Sequence, residues 1–575
     1  MKLIRNIFLV IIFAVAVAFC LYIAPNFKKT GFEDRTNLVI NFKNVTGTMK
    51  GEVIREEGNV YISLDDINNY YDRYIYLDEK YNYIIASGNG HLACFDIKSG
   101  KAEFDNKTIN AKIIKQNGLY YVPINLLKDI YNIDVEYKEK TDIVTIESLN
   151  SELKQATVNK KISVKSKATM LSRTIERIDE NSVVYVKDAG ENQSNNEAST
   201  DHKSIMGKVN KFITDQEKKI AENWIPIKTE NGTIGYIPKD SIDEIKITRS
   251  AMINEKKTIS LVWDYFENTI AIPKNNANTN YKGINVVSPA FLFVEDDGNI
   301  RENVGDTGLN YISWAKSKKY EIWPMVKCDN LLTDNMRNLL SDYKKRENLI
   351  SQIVLACEKY NFNGVNIDME NINQKDKDYF SRFIIELKPR LESRGMKLSV
   401  DVTAPDGSPN WSLCYDRKTI GDVADYIIFM AYDQTSKKSS TIGSNASYDW
   451  VELNLKKFIK NNEVDPHKII LAIPFYSRLW KINSDGTSAG GFDININNQD
   501  KYLSKAVKKE WLNDALQNYV EYTNAGYTYK MWVEDEQSIS KKLDLINEYD
   551  IAGAAFWEKG CEVESIWDIV EQKLF

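Results

Sequence analysis

The chain has 575 residues, 43% apolar and 27% charged, a composition that fits several globular domains of about 100–200 residues each. Its net charge of −6, with no basic patch, gives no reason to expect a nucleic-acid partner. Three isolated histidines (His91, His202, His467) and six cysteines without C-x-x-C spacing argue against a His/Cys metal site, a Ser-His-Asp triad or a disulfide framework, so no metal or cofactor is expected.

At the N-terminus, Lys2 and Arg5 precede an apolar run from Ile7 to Ala24, and Lys28 and Lys29 follow it. Eighteen apolar residues just span a bilayer as a helix. Ala16-Val17-Ala18 resembles a signal cleavage site, but the apolar run continues past it. The expectation is an uncleaved signal anchor within residues 1–30, a single transmembrane helix over 7–24, with everything after it outside the cytoplasm. If the signal is cut, the protein is secreted. Phe19 before Cys20 argues against lipidation.

Residues 31–150 contain a repeat. Gly58-Asn59-Val60-Tyr61-Ile62-Ser63-Leu64 aligns with Gly118-Leu119-Tyr120-Tyr121-Val122-Pro123-Ile124, and the same offset brings Tyr71 to Tyr131. Each copy reads as strand, short helix, strand, strand, a small duplicated α+β module. Residues 155–248 carry short β-type runs at Lys161–Val164, Val183–Val186 and Trp224–Lys228, closing on Gly235-Tyr236-Ile237-Pro238. They predict a small β-rich domain interrupted by a polar loop, Gly190–Asp201, and a helix-like insertion, Met206–Asn223.

From 257 to 575, β-like runs alternate with helical stretches. Candidate strands are Thr258–Asp264, Gly283–Phe293, Glu321–Cys328, Gly364–Met369, Lys397–Thr403, Tyr426–Tyr432, Lys468–Pro474 and Gly553–Trp557. Amphipathic segments such as Arg346–Tyr360 and Lys377–Arg394 lie between them. This is the pattern of an α/β (β/α)8 TIM barrel. The long interval Arg478–Asp550 predicts an inserted subdomain beside the cleft. In the fourth strand, alternation puts Asn366, Asp368 and Glu370 on one face. Carboxylates in file at a strand end raise the cost of ionising one another, so one of them can hold a proton for acid catalysis.

Those residues carry a resemblance. Gly364-x-Asn366-x-Asp368-x-Glu370 resembles the fourth-strand signature of family 18 glycoside hydrolases, and Met430-Ala431-Tyr432-Asp433 resembles their sixth-strand signature. Ser288-Pro289 and Trp532-x-Glu534-Asp535 are similar to the subgroup that cleaves spore cortex peptidoglycan during germination. The resemblance implies a substrate-assisted, retaining hydrolase. Glu370 is the acid and base, Asp368 orients the substrate's acetamido group, and Tyr432 hydrogen-bonds the acetamido oxygen. Trp557 is the aromatic floor, and Asn366, Met430, Asp433, Tyr476, Arg478, Trp480, Trp532 and Glu534 are further cleft contacts. The implied partner is a peptidoglycan or chitin-type glycan, handled by a monomer associated with the cell wall or spore. Asn363 and Asn366 depart from the broad family pattern, which has Asp; Asn366 cannot share a proton with Asp368 and is expected to hydrogen-bond it. The leading segments resemble the copper-amine-oxidase N-terminal module, with no copper expected, and bacterial Src-homology-3-type domains, a resemblance that implies a small β-barrel. Two other readings stand beside a peptidoglycan N-acetylglucosaminidase: a chitinase-like hydrolase, and a non-catalytic glycan-binding wall or coat protein.

Overall fold

The computed structural model describes residues 36–105, 107–187, 223–250, 257–266, 268–269, 280–328, 331–370 and 372–575. The predicted anchor at 7–24 lies outside the described residues, as do the polar loop and the insertion helix up to residue 222. Among the described residues no helix is long and apolar enough to cross a membrane. The chain divides into two compact units, Met1–Ala86 with Ala93–Asn254, and Ser87–Leu92 with Glu255–Phe575.

In the first unit, Asn59–Ser63 leads into helix Leu64–Tyr70 and then strands Tyr76–Asp78 and Tyr83–Gly88; Leu119–Pro123 leads into the helical turns Ile124–Leu127 and Lys128–Tyr131 and then strands Ile133–Lys138 and Ile143–Ser148. Each copy enters through a two-residue hairpin with both φ values positive, Glu57-Gly58 in one and Asn117-Gly118 in the other. That backbone matches strand twist and favours Asn and Gly. The copies meet strand to strand, with Tyr61, Ile62 and Ser63 antiparallel to Pro123, Val122 and Tyr121. The Tyr71 and Tyr131 rings lie 4.8 Å apart.

Residues 153–249 form an antiparallel sheet of seven strands in the order Thr174–Ile178, Ile162–Lys165, Ile234–Pro238, Trp224–Thr229, Val183–Val186, Leu153–Thr157, Lys246–Arg249. Only glycine fits at 235, since a Cβ there would lie 2.5 Å from a Val164 methyl.

The second unit is a closed barrel of eight parallel strands. They are β1 (Ile259–Asp264), β2 (Val286–Pro289 and Leu292–Val294), β3 (Glu321–Ile322 and Met325–Lys327), β4 (Gly364–Asp368), β5 (Lys397–Val402), β6 (Tyr426–Met430), β7 (Ile469–Pro474) and β8 (Gly553–Trp557). β8 pairs with β1, and both segments of β2 pair with those of β3, which closes the ring. Alternation sends Ile259, Leu261, Trp263, Met325, Ile428 and Ile470 into the barrel. Val262, Val326, Val365, Ile367 and Val400 pack outward with the surrounding helices. After β7 the chain builds a five-stranded antiparallel sheet, from Tyr476–Ile482 to Tyr527–Val533, before helix Glu536–Glu548 leads back to β8.

The helices on either side of β4 are Tyr343–Tyr360 and Lys377–Glu392. The first ends on left-handed Asn361, and the chain turns through Phe362 into Gly364. A Cβ on Gly364 would meet the Lys397 carbonyl at 2.7 Å and the Trp323 ring at 2.9 Å, so the strand enters the sheet through a residue with no side chain. Arg346 and Glu386 tie the two helices together. Arg346 Nε and Nη2 donate to the two carboxylate oxygens at 2.9 and 2.8 Å, and both residues are buried.

Candidate active site

The carboxyl ends of the barrel strands surround a small pocket of about 160 Å³. β4 supplies Asp368 and, two residues later, Glu370; β3 supplies Lys327 and β5 supplies Asp401. Met430, Tyr432 and Asp433 come from the end of β6, Tyr476 from just past β7, Trp557 from β8, and Trp263 and Trp411 complete the lining. The end at which these groups gather is where parallel barrels place their chemistry, because there the loops are free to vary over a rigid scaffold.

Asn366 lies one step deeper and is fully buried. Its amide donates to Asp401 Oδ1 at 2.7 Å and Ser399 Oγ at 3.0 Å, and its carbonyl accepts from Trp263 Nε1 at 2.8 Å. The expected hydrogen bond from Asn366 to Asp368 is not what the structure shows. Residues two apart on a strand are separated by about 6.6 Å along it, whereas a neighbouring strand is about 4.8 Å away. The amide therefore turns sideways to β5. The group that reaches Asp368 is Lys327, whose ammonium contacts Asp368 Oδ2 from the facing position on β3. Its Nζ also lies 5.6 Å from the Tyr265 ring centroid and 5.8 Å from that of Trp557.

Asp401 is the acid that sequence reading missed. Burial, followed by the nearby charge of Asp368, holds its carboxyl well above the usual carboxylate range, against the pull of the Asn366 hydrogen bond. It is a buried acid in the pocket lining. Burial also holds the Tyr432 and Tyr476 phenols well above 10, so both remain O–H donors. Glu370 stands half-buried at the pocket wall, and its backbone carbonyl accepts from Cys328 Sγ at 3.4 Å.

Asp433 has left-handed backbone, φ 58°. Its Oδ1 accepts from Tyr476 Oη at 3.0 Å and Arg478 Nη2 at 2.7 Å. Arg478 is buried behind Asp433 and also grips Asp493, so it positions Asp433 from outside the lining. Three further sequence-predicted contacts fall elsewhere. Trp480 is fully buried and donates to the Gly443 carbonyl at 2.7 Å. Glu534 is fully buried, with Lys542 2.9 Å from each of its oxygens and Ser538 at 2.8 Å. Both serve the packing of the inserted sheet and the helix after it. Trp532 is half-exposed, opposite Arg478 in the sheet register, with its ring 5.1 Å from Tyr519. It is not among the pocket-lining residues.

Behind Trp557 lies Glu558, with one buried carboxylate oxygen that finds no hydrogen-bond partner among the described residues. Burial and then the charge of Asp264 push it up to about 7. A raised carboxyl favours the folded state while protonated. Its contribution is complete below the ordinary value of 4.5 and is lost as pH rises through about 7. The wild-type unfolding midpoint is expected to fall between pH 5 and pH 8, and Glu558→Gln to narrow that gap. Thermal melts at the two pH values check this; an unchanged gap removes Glu558 from the account.

Residues 262–561, which are 300 of the 575, match the model of the glycosyl hydrolases family 18. The chain is 27% identical over 301 residues to the uncharacterized glycosylase YvbX of Bacillus subtilis, covering 50% of this chain and 83% of that one. It is 22% identical over 244 residues to the cortical fragment-lytic enzyme of Bacillus subtilis, covering 40% of this chain and little more than half, 54%, of that enzyme. Among solved structures, a chitinase from Chromobacterium violaceum shares 22% identity at a TM-score of 0.49, covering 55% of this chain and 99% of that one. With the match spanning more than half its length, and with Asp368 and Glu370 set at the carboxyl end of the fourth barrel strand, the chain belongs to the glycosyl hydrolases family 18.

Proposed function

We propose that the chain is a retaining, substrate-assisted hydrolase of β-1,4 linkages at N-acetylglucosamine, acting on peptidoglycan of the cell wall or spore cortex. The observation that carries this reading is the convergence of Asp368, Glu370 and Tyr432 on one pocket lined by Trp557. Glu370 protonates the glycosidic oxygen as the bond to the anomeric carbon breaks. The acetamido oxygen, held by the Tyr432 hydroxyl, attacks that carbon from the opposite face and closes an oxazolinium ring. Asp368 accepts the acetamido N–H and offsets the positive charge that develops there. Glu370, now a carboxylate, takes a proton from water, whose oxygen opens the oxazolinium with net retention. The nucleophile belongs to the substrate, so the usual second-carboxylate nucleophile is not needed, and the sugar at the cleaved position must carry a 2-acetamido group.

Peptidoglycan is preferred to chitin because the chain is similar to a cortical fragment-lytic enzyme and because its front modules suit wall attachment. In this reading the duplicated α+β module and the seven-stranded module hold the barrel near its polymer, and the segment at 7–24 tethers it to the membrane. The test is mass spectrometry of products from residues 30–575 incubated separately with purified peptidoglycan and with chitin oligomers. Muropeptides newly ending in reducing N-acetylglucosamine support the proposal. Cleavage of chitin oligomers alone makes it a chitinase-like enzyme. Binding to either polymer without products makes it a glycan-binding protein.

A further inference from the structure

Lys327 has no counterpart in the acid–base scheme above, yet it is the group in direct contact with Asp368. The two face each other in register across β3 and β4, and their side chains are only 6% and 5% exposed. The ammonium holds Asp368 Oδ2. Asp368 Oδ1 is buried and finds no hydrogen-bond partner among the described residues. Asn366, the in-strand neighbour, has its amide committed to Asp401 and Ser399 and its carbonyl to Trp263. Asp368 is therefore held from the β3 side. Its second oxygen is left without a donor, on a residue that lines the pocket together with Lys327 and Trp557.

We propose that Lys327 is a positioning residue for the reaction: it fixes the Asp368 carboxyl group with Oδ2 occupied, leaving Oδ1 for the acetamido N–H of the substrate. The assignment rests on the substrate-assisted reading. Two effects of the lysine oppose each other. Its charge disfavours a cationic oxazolinium nearby, while its hydrogen bond preorganises the acceptor. Preorganisation decides the sign. Asn366 is committed to Asp401 and Ser399, and among the described residues Lys327 is the one that hydrogen-bonds Asp368, so Asp368 without Lys327 would be a buried carboxyl group with no donor. Such a group takes up a proton or turns away to find one, and either event removes the acceptor that the acetamido group needs. Misplacing a reacting group by an ångström costs up to about 100-fold in rate.

The experiment is steady-state kinetics of Lys327→Met on a chromogenic aryl glycoside of a β-1,4 N-acetylglucosamine disaccharide. It is paired with the affinity of a thiazoline analogue of the oxazolinium and a thermal melt. The expected result is kcat lowered by about 10- to 100-fold, KM within about threefold, and thiazoline affinity falling in parallel with kcat, because the interaction is made with the cyclised group rather than with the ground state. If Lys327→Met does not fold, Lys327→Leu takes its place with the same thresholds. A folded variant with unchanged or raised kcat, or with KM alone affected, overturns the assignment. Wild-type enzyme that turns over nothing overturns the glycosidase reading and this assignment with it, whereas wild-type turnover with an unaffected variant overturns the assignment alone.

Discussion

Glu370→Gln is expected to lower kcat on a β-1,4 N-acetylglucosamine oligomer by about 10³-fold while leaving glycan affinity within a few-fold. The amide copies the shape of the carboxylic acid but cannot give a proton to the leaving oxygen or take one from water. Positioned acid–base groups of this kind contribute about 10²- to 10⁴-fold. Glu370 is half-buried at the pocket wall, so the exchange leaves the strand pairing and the barrel interior untouched. Trp557 and Trp411 line the same pocket and would still present their faces to a sugar. Rate is read from reducing-end release and affinity from tryptophan fluorescence on titration with oligomer. A variant keeping more than about a tenth of wild-type kcat would show that another group supplies the proton. A loss seen only in affinity would make Glu370 a binding residue.

Glu386→Ala is expected to destabilise the barrel by about 3–5 kcal/mol, the cost of leaving one member of a buried ion pair unpaired. Its partner Arg346 is only 2% exposed, donates through two nitrogens to Glu386 and through a third to the Leu340 carbonyl at 2.7 Å. Removing the carboxylate takes away the acceptor of two guanidinium N–H groups in a buried helix interface. In a unit of this size such a loss lowers the unfolding midpoint by roughly 5–10 °C. The double variant Arg346→Met with Glu386→Leu should recover most of it, because a well-packed apolar pair often equals or exceeds a buried ionic one. The paired helices precede and follow β4, so kcat per folded molecule should hold at low temperature and activity should vanish early on heating. Thermal melts and residual-activity curves together check this; a midpoint within 2 °C of wild type would mean that the interface relaxes or admits water around Arg346.

Each of the eight predicted barrel strands contains a strand of the ring, because β-branched apolar runs bounded by turns and amphipathic segments are local signals. The break of β2 at Ala290-Phe291 and of β3 at Trp323-Pro324 was not legible, since it depends on how two strands must bend to close a ring. The same limit explains the site. Asp368 and Glu370 stand out because they sit in file on one strand. Lys327 and Asp401 each stand alone on a strand of their own and read locally as ordinary charged residues. Alternation places Lys327 on the face of Met325, and Asp401 on that of Ser399, both interior positions. The cue was present, but its meaning came from three adjacent strands rather than one. Trp480 and Glu534 fail for the opposite reason: an aromatic and an acid in a stretch resembling a cleft wall look functional until the inserted sheet turns them toward Gly443 and Lys542.

In the duplicated module, the residue paired with Ile62 is Val122, its own counterpart in the other copy, with Tyr61 against Pro123 and Ser63 against Tyr121 on either side. A strand that pairs antiparallel with its own equivalent has a two-fold axis running through the pair, the mark of an isologous contact between identical subunits. The repeat thus has the form of an isologous pair contained in one polypeptide. A chain cut back to one copy would end its sheet on an unpaired edge, and the surface that best matches that edge is a second such chain. Deletion of either copy would therefore give an associating species rather than a smaller monomer, and the pair, not the single repeat, is the segment that can be moved between proteins.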